Sequence, residues 1–297
     1  MSAFLAFGLL GSAAVFGEPQ QGGGTSESSG EGHPAASRKW LPHAFADQSR
    51  LHETSGIVAS RKYPGVLWTH GDSGNDPKLI AINTGGVVLA EVEVRGAPNT
   101  DWEDICADNQ GNLYVGDIGN NHAMFPARYV YRIPEPDPYH PPKKAVSATK
   151  RWRYKYPDKE RFDCEALFWD GQSLYVMANL IPTKAAVYRL TEIRDGKMQL
   201  DRVADPRLAF PIGADVSADG KRLVVSSFAA LNIFDFETND DSSITLSNKR
   251  AIRYPSKEGR IESVCFFGTD VIAMSELGKL YRLNPKDFDD GVHFTRP

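Results

Sequence analysis

A unit of about fifty residues recurs five times after residue 50, and it constrains the fold more than any other feature of the sequence. Each unit opens with an acidic residue and a short apolar stretch, followed by a turn rich in Gly, Asp or Asn and two runs typical of β-strands. Repeats of this length with three or four short strands are characteristic of propeller blades. The acidic residues that mark the units are Glu53, Glu103, Glu165, Asp215 and Glu262.

The repeats predict an all-β propeller with four-stranded antiparallel blades around a central channel. Five units indicate five blades, and six stay possible. Alternating residues at 87–94, 150–156 and 198–203 are candidates for the outer strands. The proline-rich stretch 134–142 predicts a loop inside one long unit. Either 40–46 or 292–295 could complete the last blade and close the ring.

The N-terminal sequence predicts export. Residues 3–16 are apolar and too few to span a bilayer, so residues 1–17 are interpreted as a signal peptide, without the usual basic start. Residues 18–38 predict a disordered linker and 39–297 the propeller domain. We expect a secreted or periplasmic protein, without a membrane span after signal removal, and a monomer. The net charge of -4 argues against nucleic-acid binding.

Equivalent positions of a radial repeat converge, so the acidic residues should surround one mouth of the channel. The loop between the second and third strand of each blade should open on the same face. Crowded carboxylates cannot all stay ionised without a cation, and calcium prefers six to eight oxygen ligands. The sequence therefore predicts a calcium site; its candidate ligands are Glu53, Asp72, Glu103, Asp104, Asp117, Asn120, Glu165 and Glu262. The structural alternative is that these acids only accept hydrogen bonds from neighbouring blades.

Other polar residues in these loops are candidates for catalysis or ligand binding. His70, Asp117 and Glu165 could act as a base or hold the ion. The candidates for ligand binding are Asn75, Asn121, Lys78, Arg128, Asn179 and Glu276. Cys106, Cys164 and Cys265 are an odd number without metal-ligand spacing, which predicts buried free thiols.

The runs 53–57, 72–75, 101–105, 116–121 and 163–167 resemble an uncharacterised family of secreted bacterial β-propeller proteins. The chain is more distantly similar to calcium-dependent propellers of the phytase and the gluconolactonase and paraoxonase type. That resemblance implies calcium at the channel mouth and hydrolysis of phosphoesters or lactones. The predicted five blades differ from the six of those enzymes, and their ligand sets cannot be matched residue by residue.

Two functions stay open. One is a calcium-dependent hydrolase of phosphoesters, lactones or esters. The other is a non-catalytic propeller that binds a small molecule or an extracellular protein and uses calcium structurally. No GxSxG, HExxH or P-loop motif is present in the sequence. The alternating basic and aromatic residues of 150–155 suggest either a polyanion site or, as we favour, a charged outer strand.

Overall fold

The computed structural model describes residues 40–47, 49–51, 53–120, 123–157, 160–181, 184–254 and 259–290. The predicted signal peptide and linker, the candidate closing segment 292–295 and Asn121 lie outside these residues. The described chain consists of β-strands and loops, with a short 3-10 turn at Pro285–Asp287. Among the described residues, no helix is long and apolar enough to cross a bilayer.

The described strands fall into five groups of four, which we call blades 1 to 5 in chain order. A short strand β1 (Ala44–Phe45) precedes them and belongs to blade 5. Blade 1 contains β2 (Thr54–Ala59), β3 (Val66–Gly71), β4 (Lys78–Asn83) and β5 (Val88–Arg95). Blade 2 contains β6 (Trp102–Ala107), β7 (Asn112–Asp117), β8 (Arg128–Pro134) and β10 (Lys150–Tyr154), with β9 (Val146–Ser147) in the connection before β10.

The later blades follow the same pattern. Blade 3 contains β11 (Asp163–Trp169), β12 (Leu174–Ile181), β13 (Lys184–Arg194) and β14 (Lys197–Ala204). Blade 4 contains β15 (Pro211–Val216), β16 (Arg222–Ser227), β17 (Ala230–Thr238) and β18 (Ile244–Arg253). Blade 5 contains β19 (Ile261–Phe267), β20 (Asp270–Ser275), β21 (Lys279–Leu283) and β1, and β22 (Asp289–Asp290) is added to the edge of blade 4.

The first strands of the blades surround the centre. Strand β2 contacts β6, β6 contacts β11, β11 contacts β15, β15 contacts β19, and β19 returns to β2. This cycle confirms the all-β propeller fold that the repeats predict. The total of five blades stays a prediction, because residues 1–39 and 291–297 lie outside the described part of the chain.

Strand β1 completes blade 5. Ala44 pairs with Leu280 and Phe45 with Lys279, antiparallel to β21. Trp40, just before β1, is buried against Tyr254 and Tyr281. The first of the two predicted closing segments, 40–46, is therefore confirmed in this position.

The outer strand β10 explains the alternating basic and aromatic residues. Its Trp152 and Tyr154 face inwards and are buried, whereas Arg151 and Arg153 face solvent. The strand is not a free edge, since Arg153 pairs in parallel with Lys197 of β14 and joins blades 2 and 3 in one sheet. The core lies between blades, in layers such as that of Trp68, Trp102 and Tyr131.

All three cysteines are buried and unpaired, as the sequence predicts. Burial raises the pKa of the Cys164 thiol to about 12 and raises the pKa of both other thiols. The three side chains therefore stay neutral and pack as small apolar groups.

Candidate acidic site at the channel mouth

A β-bulge places the acidic residue of three innermost strands. In blade 2, Trp102 pairs with Asp117 and Asp104 pairs with Gly116, so Glu103 is an extra residue between them. The same shift in register occurs around Glu165 in blade 3 and around Glu262 in blade 5. A bulge bends its strand and redirects one side chain, which explains why these three glutamates leave the regular in-and-out alternation.

Glu53 and Asp215 do not occupy this position, which corrects the sequence alignment of the repeats. In blade 1 the register shift lies between Thr54 and Ile57, two residues or more past Glu53. In blade 4 it falls at Ile212, and Asp215 lies deeper in its strand. Asp215 is buried and accepts a hydrogen bond from the Phe266 backbone N–H at 2.8 Å, so it joins two blades instead of facing the mouth.

A second set of side chains lies two residues before the bulge position. Its members are Glu53, Asp101, Asp163, Phe210 and Arg260. Asp101 and Asp163 were not among the predicted ligands, although the spacing Asp-x-Glu in 101–103 and 163–165 was a signal for them. Glu53 and Phe210 have φ angles of 45° and 49°, in the left-handed region that non-glycine residues rarely adopt. The mouth is therefore acidic in blades 1, 2 and 3 and apolar in blade 4.

The carboxylates of Asp72, Asp101 and Glu103 form one compact cluster at the mouth. One oxygen atom of each lies within 4.8 Å of the other two, a spacing that could hold a metal ion. Asp72 follows strand β3 of blade 1, and the other two precede or belong to β6 of blade 2. The cluster therefore bridges two blades, as the predicted convergence requires.

Backbone contacts fix two members of this cluster. Asp117 accepts hydrogen bonds from the backbone N–H groups of Asp101 at 2.7 Å and Thr100 at 3.2 Å, and from the Tyr131 hydroxyl at 3.1 Å. The Ser73 N–H donates to Asp72 Oδ1 at 2.5 Å. Asp117, predicted as a ligand and a catalytic candidate, thus uses Oδ1 to hold the backbone of Thr100 and Asp101, while its Oδ2 accepts from Tyr131.

Gly119 makes room for the carboxylates. Its backbone N–H donates to the Asp101 carbonyl at 3.2 Å. A Cβ atom on this residue would lie 2.5 Å from Asp101 Oδ2 and would also overlap Glu103 Oε1. Since any larger residue would displace both carboxylates, the glycine in this loop is a steric condition for the cluster.

Burial and like charges raise the pKa values of the cluster. Desolvation, followed by the charges of Asp72 and Asp163, raises the pKa of Asp101 to about 6. Desolvation and the neighbouring Glu165 raise the pKa of Glu103 well above its ordinary value, and desolvation also raises the pKa of Asp72. These shifts mean that ionising all three carboxylates together is unfavourable without a cation.

Glu165 and Glu262 extend the acidic surface around the mouth. Desolvation and Asp163 raise the pKa of Glu165, whose side chain is hydrogen-bonded to Asp163. The Arg260 guanidinium bonds Glu262 Oε1 at 2.6 Å and partly neutralises this side of the mouth. Desolvation nevertheless raises the pKa of Glu262.

Three predicted site residues are buried inside the fold and do not belong to the acidic cluster. Asp104 is fully buried; its carboxylate accepts backbone N–H bonds from Ile105 and Leu167 at 2.9 Å and from Ala214 at 3.2 Å. It therefore joins blades 2, 3 and 4, as the structural alternative expects. Asn120 is also buried: its backbone N–H donates to Asp163 Oδ1 at 2.6 Å, and its side chain bonds the loop carbonyl of Arg161 at 3.0 Å.

The third is His70, which is fully buried between blades and packs edge-on against Trp102. Burial lowers the pKa of its imidazole to about 4, so the ring is neutral at physiological pH. Its Nδ1 atom contacts the Gly71 carbonyl oxygen at 3.1 Å. The predicted role of His70 as a base at the mouth therefore has no support in its geometry.

The predicted ligand-binding residues lie in different surroundings, and only some of them are near the mouth. Asn75 bonds the Asp72 carbonyl at 3.1 Å and stabilises that loop, and Lys78 pairs with Asp76 at 3.2 Å. Glu276 accepts the Arg260 backbone N–H at 3.2 Å, next to the mouth. Asn179 pairs with Asp163 across blade 3. Arg128 is buried and is discussed below.

No protein-family model matches the sequence, and a search of curated proteins found no match. The similar solved structures include the following three. A catalytically inactive variant of virginiamycin B lyase from Staphylococcus aureus with quinupristin has a TM-score of 0.39 and 14% identity, over 78% of this chain and 66% of that one. A presumed gluconolactonase from a structural-genomics consortium has a TM-score of 0.45 and 16% identity, over 82% and 77%. The Malassezia sympodialis allergen Mala s 1 has a TM-score of 0.48 and 12% identity, over 80% and 95%.

Proposed function

We propose that the cluster of Asp72, Asp101 and Glu103 binds calcium and that the protein is a calcium-dependent hydrolase of esters, lactones or phosphoesters. The observation that supports this proposal is the close approach of three carboxylates, with oxygen atoms within 4.8 Å, in a partly or fully buried position. Such an arrangement is costly for the free protein and favourable once a cation neutralises it.

Calcium fits the donors better than other metals. The donors at the mouth are carboxylates, with backbone carbonyls such as that of Glu53 beside Asp72. Imidazole and thiolate ligands would favour zinc or copper, but His70 and the three cysteines are buried and none of them belongs to the described cluster. Calcium also accepts the irregular geometry that two different blades impose.

Glu165 is the proposed general base. It lies next to Glu103 in the field of the cluster and shares a hydrogen bond with Asp163. Its raised pKa makes this carboxylate a stronger proton acceptor than an ordinary glutamate, which suits proton transfer from water. A bound ion would polarise the carbonyl or phosphoryl oxygen of the substrate. Asp117 and Gly119 keep the geometry of the ligands and do not take part in proton transfer.

The first test is calcium binding by the purified protein after metal removal on a chelating resin. A concentration of one hundred times Kd stabilises the folded state by about 2.7 kcal/mol, or a rise of about 5–10 °C in melting temperature. Asp101→Asn should remove most of this rise. Asp170→Asn, which changes the same residue type at a turn of blade 3, should keep it. The absence of a calcium effect in the unaltered protein would refute the metal site.

The second test is a panel of chromogenic esters, lactones and phosphoesters with and without calcium. We expect hydrolysis that depends on calcium and is lost in Glu165→Gln, while calcium binding is kept. Calcium binding without any hydrolysis would instead favour the non-catalytic propeller that binds a small molecule or an extracellular protein. Export, a monomeric state and the secreted or periplasmic location are part of the proposal, since the N-terminal residues that suggest export lie outside the described chain.

A further inference from the structure

Arg128 is a buried cation beside the acidic mouth. It begins strand β8, is 4% exposed, and stacks over the Phe125 ring at 5.4 Å. Its Nη1 atom donates to the adjacent Ala127 carbonyl at 2.9 Å, but its Nε and Nη2 atoms are buried without a hydrogen-bond partner among the described residues. A buried guanidinium with unused donors costs several kcal/mol unless an acceptor is supplied.

The neighbours of Arg128 supply further donors. Tyr154 pairs with Arg128 across strands β8 and β10, and Tyr156 lies edge-on to Tyr154 at 5.8 Å. Both hydroxyl groups are buried; they lie close to each other and to the Cys164 thiol, but neither forms a well-aligned hydrogen bond with a described residue. Burial raises the pKa of both phenols and that of the nearby Cys164, so none of these groups supplies a negative charge.

A fork of guanidinium donors next to neutral phenols is complementary to an oxyanion, which offers two or three acceptor atoms at once. A metal ion is excluded by the positive charge. A carboxylate or a phosphate would satisfy the charge of Arg128 and its unused N–H groups together.

We propose that the cleft at Arg128 and Tyr156, with Tyr154 behind them, binds a carboxylate or phosphate group of the ligand whose reacting group lies at the acidic site. The placement of the reacting group rests on the proposed function, whereas anion binding by the cleft does not. The cleft is lined by Arg128 and Tyr156 together with Asn120, Phe125, Lys155, Glu160 and Arg161, so its rim carries two further cations and one carboxylate.

The cleft adjoins the mouth. Asn120 lines the cleft, and its backbone N–H bonds Asp163, which lies at the mouth. Arg128 is near enough to lower the pKa of Asp101, although desolvation dominates that pKa. The cleft is too narrow for a sphere the size of water, so an anion enters only if the partly exposed Phe125 moves aside.

The test is the melting temperature of metal-free protein in HEPES with potassium phosphate or potassium acetate at about ten times Kd. We expect a rise of at least about 2 °C with one or both anions. Phosphate alone would identify a phosphoryl group and acetate alone a carboxylate. In Arg128→Met the rise should disappear, and the anion-free variant should melt higher than the unaltered protein because an unpaired buried charge is gone. Arg132→Met, on the same strand but partly exposed, should keep the rise.

Three results would overturn the proposal: no anion effect in the unaltered protein, an undiminished effect in Arg128→Met, or a lower melting temperature of that variant without anion. If Arg128→Met does not fold, Tyr156→Phe decides, since a threefold weaker anion affinity supports the cleft and an unchanged affinity refutes it. Calcium should still stabilise Arg128→Met. A failure of calcium in the unaltered protein with a positive anion result would refute only the metal site.

Discussion

Replacing Glu103 by Gln should stabilise the metal-free protein and destabilise the calcium-bound one relative to the unaltered protein. Glu103 is buried beside Glu165, Asp72 and Asp101, and these surroundings raise its pKa. At pH 7.5 the cost of keeping it protonated in the folded state reaches at most about 4 kcal/mol, from the distance between this pH and the ordinary pKa of Glu. Glutamine avoids this cost but is still a buried polar group that has lost its water. We therefore expect the free energy of unfolding of the metal-free protein to rise by about 2 kcal/mol.

This gain corresponds to a rise of about 4–8 °C in melting temperature for a domain of this size. Because the pKa of Glu103 is raised on folding, the cost is absent below the pKa of the unfolded chain and grows as pH rises through the folded pKa. The gain should therefore vanish at pH 4. With calcium, Glu103→Gln should lose at least half of the calcium-induced rise. Thermal unfolding at both pH values, with and without calcium, measures these effects.

Glu135→Gln is the matched control, because Glu135 is a buried glutamate that already accepts hydrogen bonds from Trp68 and Ser60. Glu135→Gln should lower the melting temperature of the metal-free protein and leave the calcium-induced rise in melting temperature unchanged. A metal-free Glu103→Gln protein that melts lower than the unaltered one at pH 7.5 would refute the reasoning, since Glu103 would then stabilise the fold as a structural acid.

Three further predictions follow from single residues. Burial raises the pKa of Asp215 to about 6. The stability that Asp215 contributes is therefore complete below about pH 4 and is lost as pH rises through 6. Asp215→Asn should remove up to about 3 kcal/mol of this pH dependence from the free energy of unfolding of the metal-free protein. Gly119→Ala should weaken calcium binding at least about tenfold in calorimetry, whereas Gly85→Ala, in an exposed hairpin, should not; equal affinities would exclude the steric role of Gly119. Trp40→Ala should lower the free energy of unfolding by about 3–5 kcal/mol in urea titration, and a loss below about 1 kcal/mol would show that ring closure does not depend on this side chain.

The repeats in the sequence predict the fold well, because each blade forms its strands from local alternation and turn residues. The three glutamates at 103, 165 and 262 were also matched correctly, since they share a position relative to the apolar residues that follow. For the segment that closes the ring, the sequence predicts two candidates. The choice between 40–46 and 292–295 depends on long-range pairing that no local pattern contains.

The site could be predicted only in part. A bulge changes which residues share a face of the sheet, and the amino-acid sequence of a strand does not show where the extra residue lies. Glu53 and Asp215 were therefore aligned with the wrong positions, and Asp101 and Asp163 were missed. Burial was also invisible in the sequence. It places Asp104 and His70 in the interior, where a carboxylate joins blades and an imidazole stays neutral.

The pairing of Ala44 with Leu280 also has a consequence for the time course of folding. Contacts between residues so far apart in the chain form slowly, because a long loop must close before they can stabilise anything. Blade 5 keeps an unpaired edge until β1 docks, and Glu262 of that blade reaches the mouth only in the closed ring. Newly made chains should therefore pass through a protease-sensitive open form, and calcium added during refolding should shorten its lifetime.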